Sequence, residues 1–180
     1  IAPYANPKAV RYDPARDLAP VGLVNTAPMV LVARPTLPAS NLPELVRLAR
    51  KEPGKLSYAT SGIGTVLHLA MEMIKQQGQF FATHVPYRGG AQIATDVIGG
   101  QVDLAMLVSV SAAPQIQAGK LKAIAVTGAE RLAILPNVPT VAEAPGFKGF
   151  DVVAWTGLFA PARTPAPVLE RLNQELSAVL

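Results

Sequence analysis

The stretch Leu56–Gly90, LSYATSGIGTVLHLAMEMIKQQGQFFATHVPYRGG, restricts the possible folds more than any other part of the chain. Twice it runs from a short apolar segment with strand character into a turn of small residues. The turns are Thr60-Ser61-Gly62-Ile63-Gly64-Thr65, which opens a helix-like segment, and Tyr87-Arg88-Gly89-Gly90-Ala91. A chain that passes from a strand end to a helix start leaves unpaired N–H groups at the positive end of the helix dipole. In α/β folds such places receive anions, so these two turns are expected to hold a small anion, with a carboxylate the first choice.

The same alternation extends in both directions. Val21–Val24 and Met29–Ala33 read as two short strands broken by Asn25-Thr26-Ala27-Pro28, and residues 1–20, with four prolines, as an irregular lead-in. Asn41 and Glu44 form a capping box for a helix whose apolar face is Leu42, Leu45, Val46 and Ala49. A helix is predicted from Thr65 to Gln77, with Leu67, Ala70, Met71 and Ile74 inward and Gly78 as its stop. Strands at Ala82–Val85, Val102–Leu107 and Leu121–Thr127 alternate with helices at Ala91–Ile98 and Ser109–Ala118. That order is the βαβ pattern of a doubly wound sheet, in which ligands sit beyond the carboxyl ends of the strands. Beyond Gly128 come a proline-bounded connector, a short capped turn at Thr140–Glu143 and a strand at Val152–Ala160. Trp155 in that strand is expected in the core or a cleft wall. Thr164 is expected to cap a last helix with a stripe of Leu169, Leu172, Leu176 and Leu180. That helix meets the last residue without a stop signal, and the first residue is not Met, so the sequence reads as a piece of a longer chain.

Composition removes several functions. The 180 residues include no cysteine, which excludes disulfides, thiolate nucleophiles and zinc–thiolate sites. The net charge of +4 is scattered, with Arg50-Lys51 the only adjacent basic pair, so a nucleic-acid footprint is not expected. His68, one turn into its helix, either touches a ligand or bonds a backbone carbonyl. With His84 it makes a poor metal site, since the two lie on different elements without flanking acids. Gly62-Ile63-Gly64 is not a dinucleotide fingerprint, because Leu67 stands where its last glycine belongs; nor does a Walker lysine or a nucleophile elbow follow. A tight turn without a ligand stays open for both glycine segments. Arg88 is either a carboxylate fork or a solvated charge, and Tyr87 either stacks on a ligand or lines the core. Ser109 and Ser111 mark a third strand end that could reach the same cleft. A hydrolase or transferase would need Ser61 or Ser109 beside His68 or His84, and no recognisable spacing supports that. A ligand-sensing domain of a signalling system would use the same chemistry as a carrier.

Four segments, YATSGIGTVLHLAMEM, HVPYRGGAQIATDVIGGQVDLAM, IQAGKLKAIAVTGAERLAILPNVPTVAEA and GLFAPARTPAPVLERLN, together resemble the substrate-binding proteins of tripartite tricarboxylate transporters, the Bug or TctC-like family. The resemblance runs in consistent order over essentially the whole chain. It implies a type II periplasmic-binding-protein α/β fold: a parallel or mixed sheet with helices on both faces, in two lobes. It further implies a non-enzymatic, cofactor-free periplasmic protein. Such a protein holds a small organic acid (a di- or tricarboxylate, an amino acid or an aromatic acid) and passes it to a membrane permease. The family's first glycine turn matches Ser61, Gly62, Gly64 and Thr65, and its second matches Tyr87, Arg88, Gly89, Gly90 and Ala91. With Thr60, His68 and Ser109 added for their places beside the same strand ends, the expected ligand-binding residues are Thr60, Ser61, Gly62, Gly64, Thr65, His68, Tyr87, Gly89, Gly90, Ala91 and Ser109. On this basis residues 1–32 are a remnant of the first lobe and hinge, 33–128 the second lobe, and 129–180 a connector, return strand and helix. Two departures stand out. The proline–glycine loop by which the first lobe clasps a ligand is missing. Met106-Leu107-Val108-Ser109 also stands where many members carry an acidic residue, which removes a partner for an amino or hydroxyl group. A truncated chain is expected to expose edges at Met29–Ala33 and Val152–Ala160 and to pair or exchange strands with a second copy.

Overall fold

The structure is a computed structural model that describes residues 12–180. Its elements are α1 (Pro14–Asp17), β1 (Leu18–Ala33), α2 (Leu42–Lys51), β2 (Ser57–Thr60), α3 (Val66–Gly78), β3 (Thr83–Pro86) and α4 (Gly90–Ile98). They continue with β4 (Leu104–Val108), α5 (Ser109–Gln117), β5 (Lys122–Val126), a 3₁₀ turn (Val141–Glu143), β6 (Val153–Pro161) and α6 (Ala166–Val179). The strands form one mixed sheet in the order β3-β2-β4-β1-β5, with β6 also paired to β1. β3, β2 and β4 are mutually parallel, as the alternation of strands and helices predicts. β1 lies antiparallel between β4 and β5 and makes the sheet mixed.

The chain divides into two compact units: Ala27–Ala154, and Trp155–Leu180 with the residues up to Thr26. In the larger unit, side chains alternate between two cores. Met29, Leu31, Tyr58, Leu104 and Met106 face α2 and α3, while Val30, Val32, Ala59, Ala105 and Leu107 face α4 and α5. The period of two along each strand gives the sheet an apolar surface on both sides, so helices cover both. Met29–Ala33 is fully buried and paired on both sides, which overturns the expectation that it is an exposed edge.

The predicted break at Asn25–Pro28 is absent, and β1 is a single strand of 16 residues. Pro28 lies just outside the β4 register, which begins at Met29↔Val108, so its missing N–H costs that ladder no bond. The α2 cap forms as expected, with the Glu44 amide donating to Asn41 Oδ1 at 2.9 Å. The returning contact is one residue displaced: Glu44 Oε2 accepts from the Ser40 amide at 2.7 Å. At Thr140 and Glu143 the reciprocal box is complete.

α3 ends differently from the prediction. The left-handed residue is Gln79 (φ 46°), not Gly78, and the amides of Gln79 and Phe80 donate to the Gln76 and Lys75 carbonyls. Gly78 is glycine for space, since a Cβ there would stand 2.8 Å from the Phe80 ring. Gln79→Gly is therefore expected to raise stability by about 0.5–1 kcal/mol, because it removes the left-handed cost of a side chain. Urea denaturation checks this; an unchanged or lower midpoint would show that Gln79 is unstrained.

In the smaller unit, residues 1–11 of the expected lead-in lie outside the described residues. The rest of that lead-in is ordered as α1 and the start of β1. Thr164 does not cap α6; Pro165 holds the cap position, without a side-chain bond, and the Thr164 amide donates to the Pro161 carbonyl at 2.9 Å. Of the leucine stripe, Leu169 and Leu176 are half-buried, while Leu172 and Leu180 are exposed. Trp155 is 60% exposed and tilted against Phe159, neither core nor wall within this unit. Among the described residues this unit has a two-stranded ribbon, the single turn α1 and α6, too little surface to enclose an indole.

Candidate functional site: three turns at one sheet edge

β3, β2 and β4 are neighbours and run in one direction, so the turns at their carboxyl ends lie side by side. These are the turns Tyr87–Ala91, Ser61–Thr65 and Val108–Ser111. The Tyr87 amide donates to the Thr60 carbonyl at 2.9 Å, which ties the first two together.

The β2 turn is the most highly ordered by its own groups. Gly62 (φ 127°) and Gly64 (φ 76°) take conformations that side chains resist. Thr65 caps α3, its Oγ1 accepting from the His68 amide at 3.3 Å and donating to the Gly62 carbonyl at 2.9 Å. The Gly64 amide donates to His68 Nδ1 at 3.2 Å. His68 thus serves a backbone amide rather than a carbonyl, and its acceptor nitrogen must be unprotonated to do so. Helix geometry leaves the amides of Val66 and Leu67 without an intrahelical acceptor. Together with the Ser61 hydroxyl, they make this turn a donor-rich place for an anion.

Behind the turn stands a group that residue-by-residue reading of the sequence passes over. Tyr58 and His84 are direct partners in the β2–β3 register, and their rings stack at 4.8 Å. His84 stacks in turn on His68 at 4.2 Å. Thr60 Oγ1 and His84 Nε2 share a hydrogen bond of 2.7 Å. Tyr58 donates its hydroxyl to Glu72, which also receives Lys75 at 2.7 Å and lies 3.8 Å from His68 Nε2. The signal that could have exposed this cluster is the pairing of Tyr58 with His84, which becomes visible once β2 and β3 are set parallel.

Burial, followed by the neighbouring His68, holds His84 below the ordinary histidine value of 6.5. Burial pushes Glu72 up, but its bonds from Lys75 and Tyr58 outweigh that and leave it lowered. The His84 shift has a defined sign. The unfolded chain takes up the proton first, so stability is full above about pH 7.5, falls as the pH drops through 6.5, and levels off below the folded-state value. Urea midpoints across that range should show this loss, and His84→Gln should flatten it. An equally steep profile in the variant would place the titration elsewhere.

The other expected site residues sit at the same edge. Tyr87 donates its hydroxyl to Asp96 Oδ2 at 2.7 Å, so its polar end is engaged within the larger unit. Arg88 is exposed, and no carboxylate pairs with it among the described residues. Gly89 is extended, at φ −170°, and Gly90 and Ala91 begin α4; all three are exposed, and a Cβ at Gly89 or Gly90 would meet nothing within 4 Å. Ser109 is the first residue of α5 and 3% exposed, while Ser111 turns its hydroxyl to the Val108 carbonyl at 2.8 Å. No serine bonds an imidazole among the described residues, so the pair a hydrolase requires is not assembled. No three potential ligands gather to hold a metal ion there either, and no helix is long and apolar enough to cross a membrane.

The mixed α/β sheet with helices on both faces matches the fold of type II periplasmic binding proteins over about half their length. Solved members as distant as 13% identity share the fold, among them an ancestral amino-acid-binding protein at a TM-score of 0.58. The chain belongs to the tripartite tricarboxylate transporter family receptors (TctC), whose family model matches residues 1–180, a family of binding proteins and not of enzymes. The protein of the tcbD–tcbE intergenic region of a Pseudomonas species is 42% identical over 95% of this chain and 51% of its own length. MatC from Rhodopseudomonas palustris, solved with bound malate, is 35% identical with a TM-score of 0.87, over 98% of this chain and 60% of that one. A second R. palustris protein, solved with adipate, is 34% identical with a TM-score of 0.85, over 93% and 56%. The periplasmic binding protein BugD is 39% identical with a TM-score of 0.82, again over 93% and 56%. The chain spans about half the length of the curated relatives it matches.

Proposed function

We propose that the full-length protein captures a small carboxylate in the periplasm and delivers it to the membrane subunits of a tripartite transporter. The observation that carries this is the convergence of three donor-bearing turns at one sheet edge in a chain of the receptor family. Relatives solved with adipate and with malate support a dicarboxylate as the first ligand to try. In this reading Ala27–Ala154 is the lobe that presents the ligand turns. Amides at the start of α3 and α4 hold a carboxylate, with hydroxyls from Ser61 and Ser109, while the Thr65 hydroxyl stays on the α3 cap and the Gly62 carbonyl. Thr60 and His68 keep the β2 turn in shape, and Tyr87 with Gly89, Gly90 and Ala91 forms the neighbouring wall.

Calorimetry on the full-length protein with adipate, malate, succinate, citrate, glutamate and benzoate tests it. Saturable binding of at least one acid is expected, and a folded sample that binds none overturns the reading. Self-association of the present chain through β6, where Trp155 and Phe159 are exposed, belongs to the same proposal. A monomeric mass by light scattering excludes it.

A further inference from the structure

The ligand turns carry two aliphatic side chains that their backbone does not require. Ile63 stands between Gly62 and Gly64, and Val110 is the second residue of α5. Each is 72% exposed, more than any other large apolar side chain in Ala27–Ala154. A single exposed valine or isoleucine is ordinary on a protein surface. These two, however, follow β2 and β4, which are adjacent in the sheet, and so occupy the edge where the donors of the turns are concentrated. A serine or asparagine would serve either turn equally well and leave no apolar surface in water.

The charges at this edge point the same way. Residues 60–65, 86–91 and 108–111 contain no carboxylate, and their only charged side chain is Arg88. The acids nearest in sequence to the three turns are engaged, Asp96 by the Tyr87 hydroxyl, Glu72 by Tyr58 and Lys75, and Asp103 by Arg34 and Ser57. A ligand ammonium group would find no carboxylate in these three turns. A ligand hydroxyl set against Ile63 or Val110 would lose water and gain nothing.

We propose that the ligand is a carboxylate with a hydrocarbon body, aliphatic or aromatic, and that Ile63 and Val110 select it against hydroxy and amino acids. This rests on the carboxylate reading above and adds the character of the part that is not carboxylate.

The test uses acids of matched length on the full-length protein: adipate against mucate, which bears a hydroxyl on each inner carbon, and succinate against malate and aspartate. In each set the unsubstituted acid is expected to bind on the order of tenfold tighter or more, the discrimination of one unmet polar group. Ile63→Ser and Val110→Ser are expected to narrow that ratio by weakening the unsubstituted acid several-fold and sparing the hydroxylated one. Both positions are exposed, so folding is not at stake. Mucate, malate or aspartate binding as tightly as its parent acid overturns the proposal. An unchanged ratio in both variants overturns the roles of Ile63 and Val110. Binding of no acid at all refutes the carboxylate reading, and this inference falls with it.

Discussion

Gly62→Ala is expected to weaken carboxylate binding by the full-length protein by about 5- to 150-fold, the equivalent of 1–3 kcal/mol of backbone strain. The reason is conformational. At φ 127° a side chain is strongly disfavoured, although the space is open, with Thr65 Cγ2 the nearest atom at 3.8 Å. Relief of the strain requires rotation of the backbone about Gly62, whose two main-chain polar groups hold the turn together. The Gly62 carbonyl accepts from Thr65 Oγ1 at 2.9 Å, and its amide lies 3.4 Å from Thr60 Oγ1, the atom bonded to His84. Rotation thus moves the α3 cap and the amides behind it.

Gly89→Ala is the matching control, since Gly89 is extended and its surroundings are empty. It should leave stability unchanged, and any loss of affinity there would report a ligand close to that backbone. Calorimetry and urea denaturation on both variants separate the cases. Full affinity in Gly62→Ala would show that the β2 turn does not shape the site.

How much of this was legible depended on whether the controlling interaction is local in sequence. The caps at Asn41, Thr65 and Thr140 were readable because donor and acceptor lie within one turn of each other. The three parallel strands were readable because alternation of strands and short helices admits few topologies. The resemblance to the receptor family rested on long segments and was borne out along the whole chain.

What stayed hidden was set by distant partners. Pro28 looked like a break because its place outside the β4 register depends on residues about eighty positions away. Gly78 looked like a helix stop because its crowding, by the Phe80 ring and by that of distant Phe147, exists only in the packed core. Trp155 was assigned to the core or a cleft wall by its type alone. His68 and His84 were each visible, but the stack in which His84 lies between Tyr58 and His68 exists only once β2 and β3 are paired.

That stack yields the largest expected effect on stability. Tyr58→Ala should cost about 3–5 kcal/mol, the range for removing a large aromatic ring from a packed interior. Tyr58 is fully buried, lies on His84 in direct register, and has the Lys75 ammonium 5.1 Å from its ring centre. Set against a typical total of about 5–15 kcal/mol, such a loss brings the protein near its unfolding threshold. Tyr58→Phe keeps the ring and removes only the hydroxyl. Glu72 still receives Lys75, so the expected cost is about 1 kcal/mol. The pair of variants separates packing from hydrogen bonding. If the two midpoints coincide in urea, the Glu72 bond and not the ring supports the turn. If they differ as expected, an intermediate His84→Ala would place the support in the stack, because its imidazole touches the Tyr58 ring on one side and Thr60 at the ligand turn on the other. Stability and ligand geometry then share one side chain, and a variant that weakens the stack should lose affinity before it loses its fold.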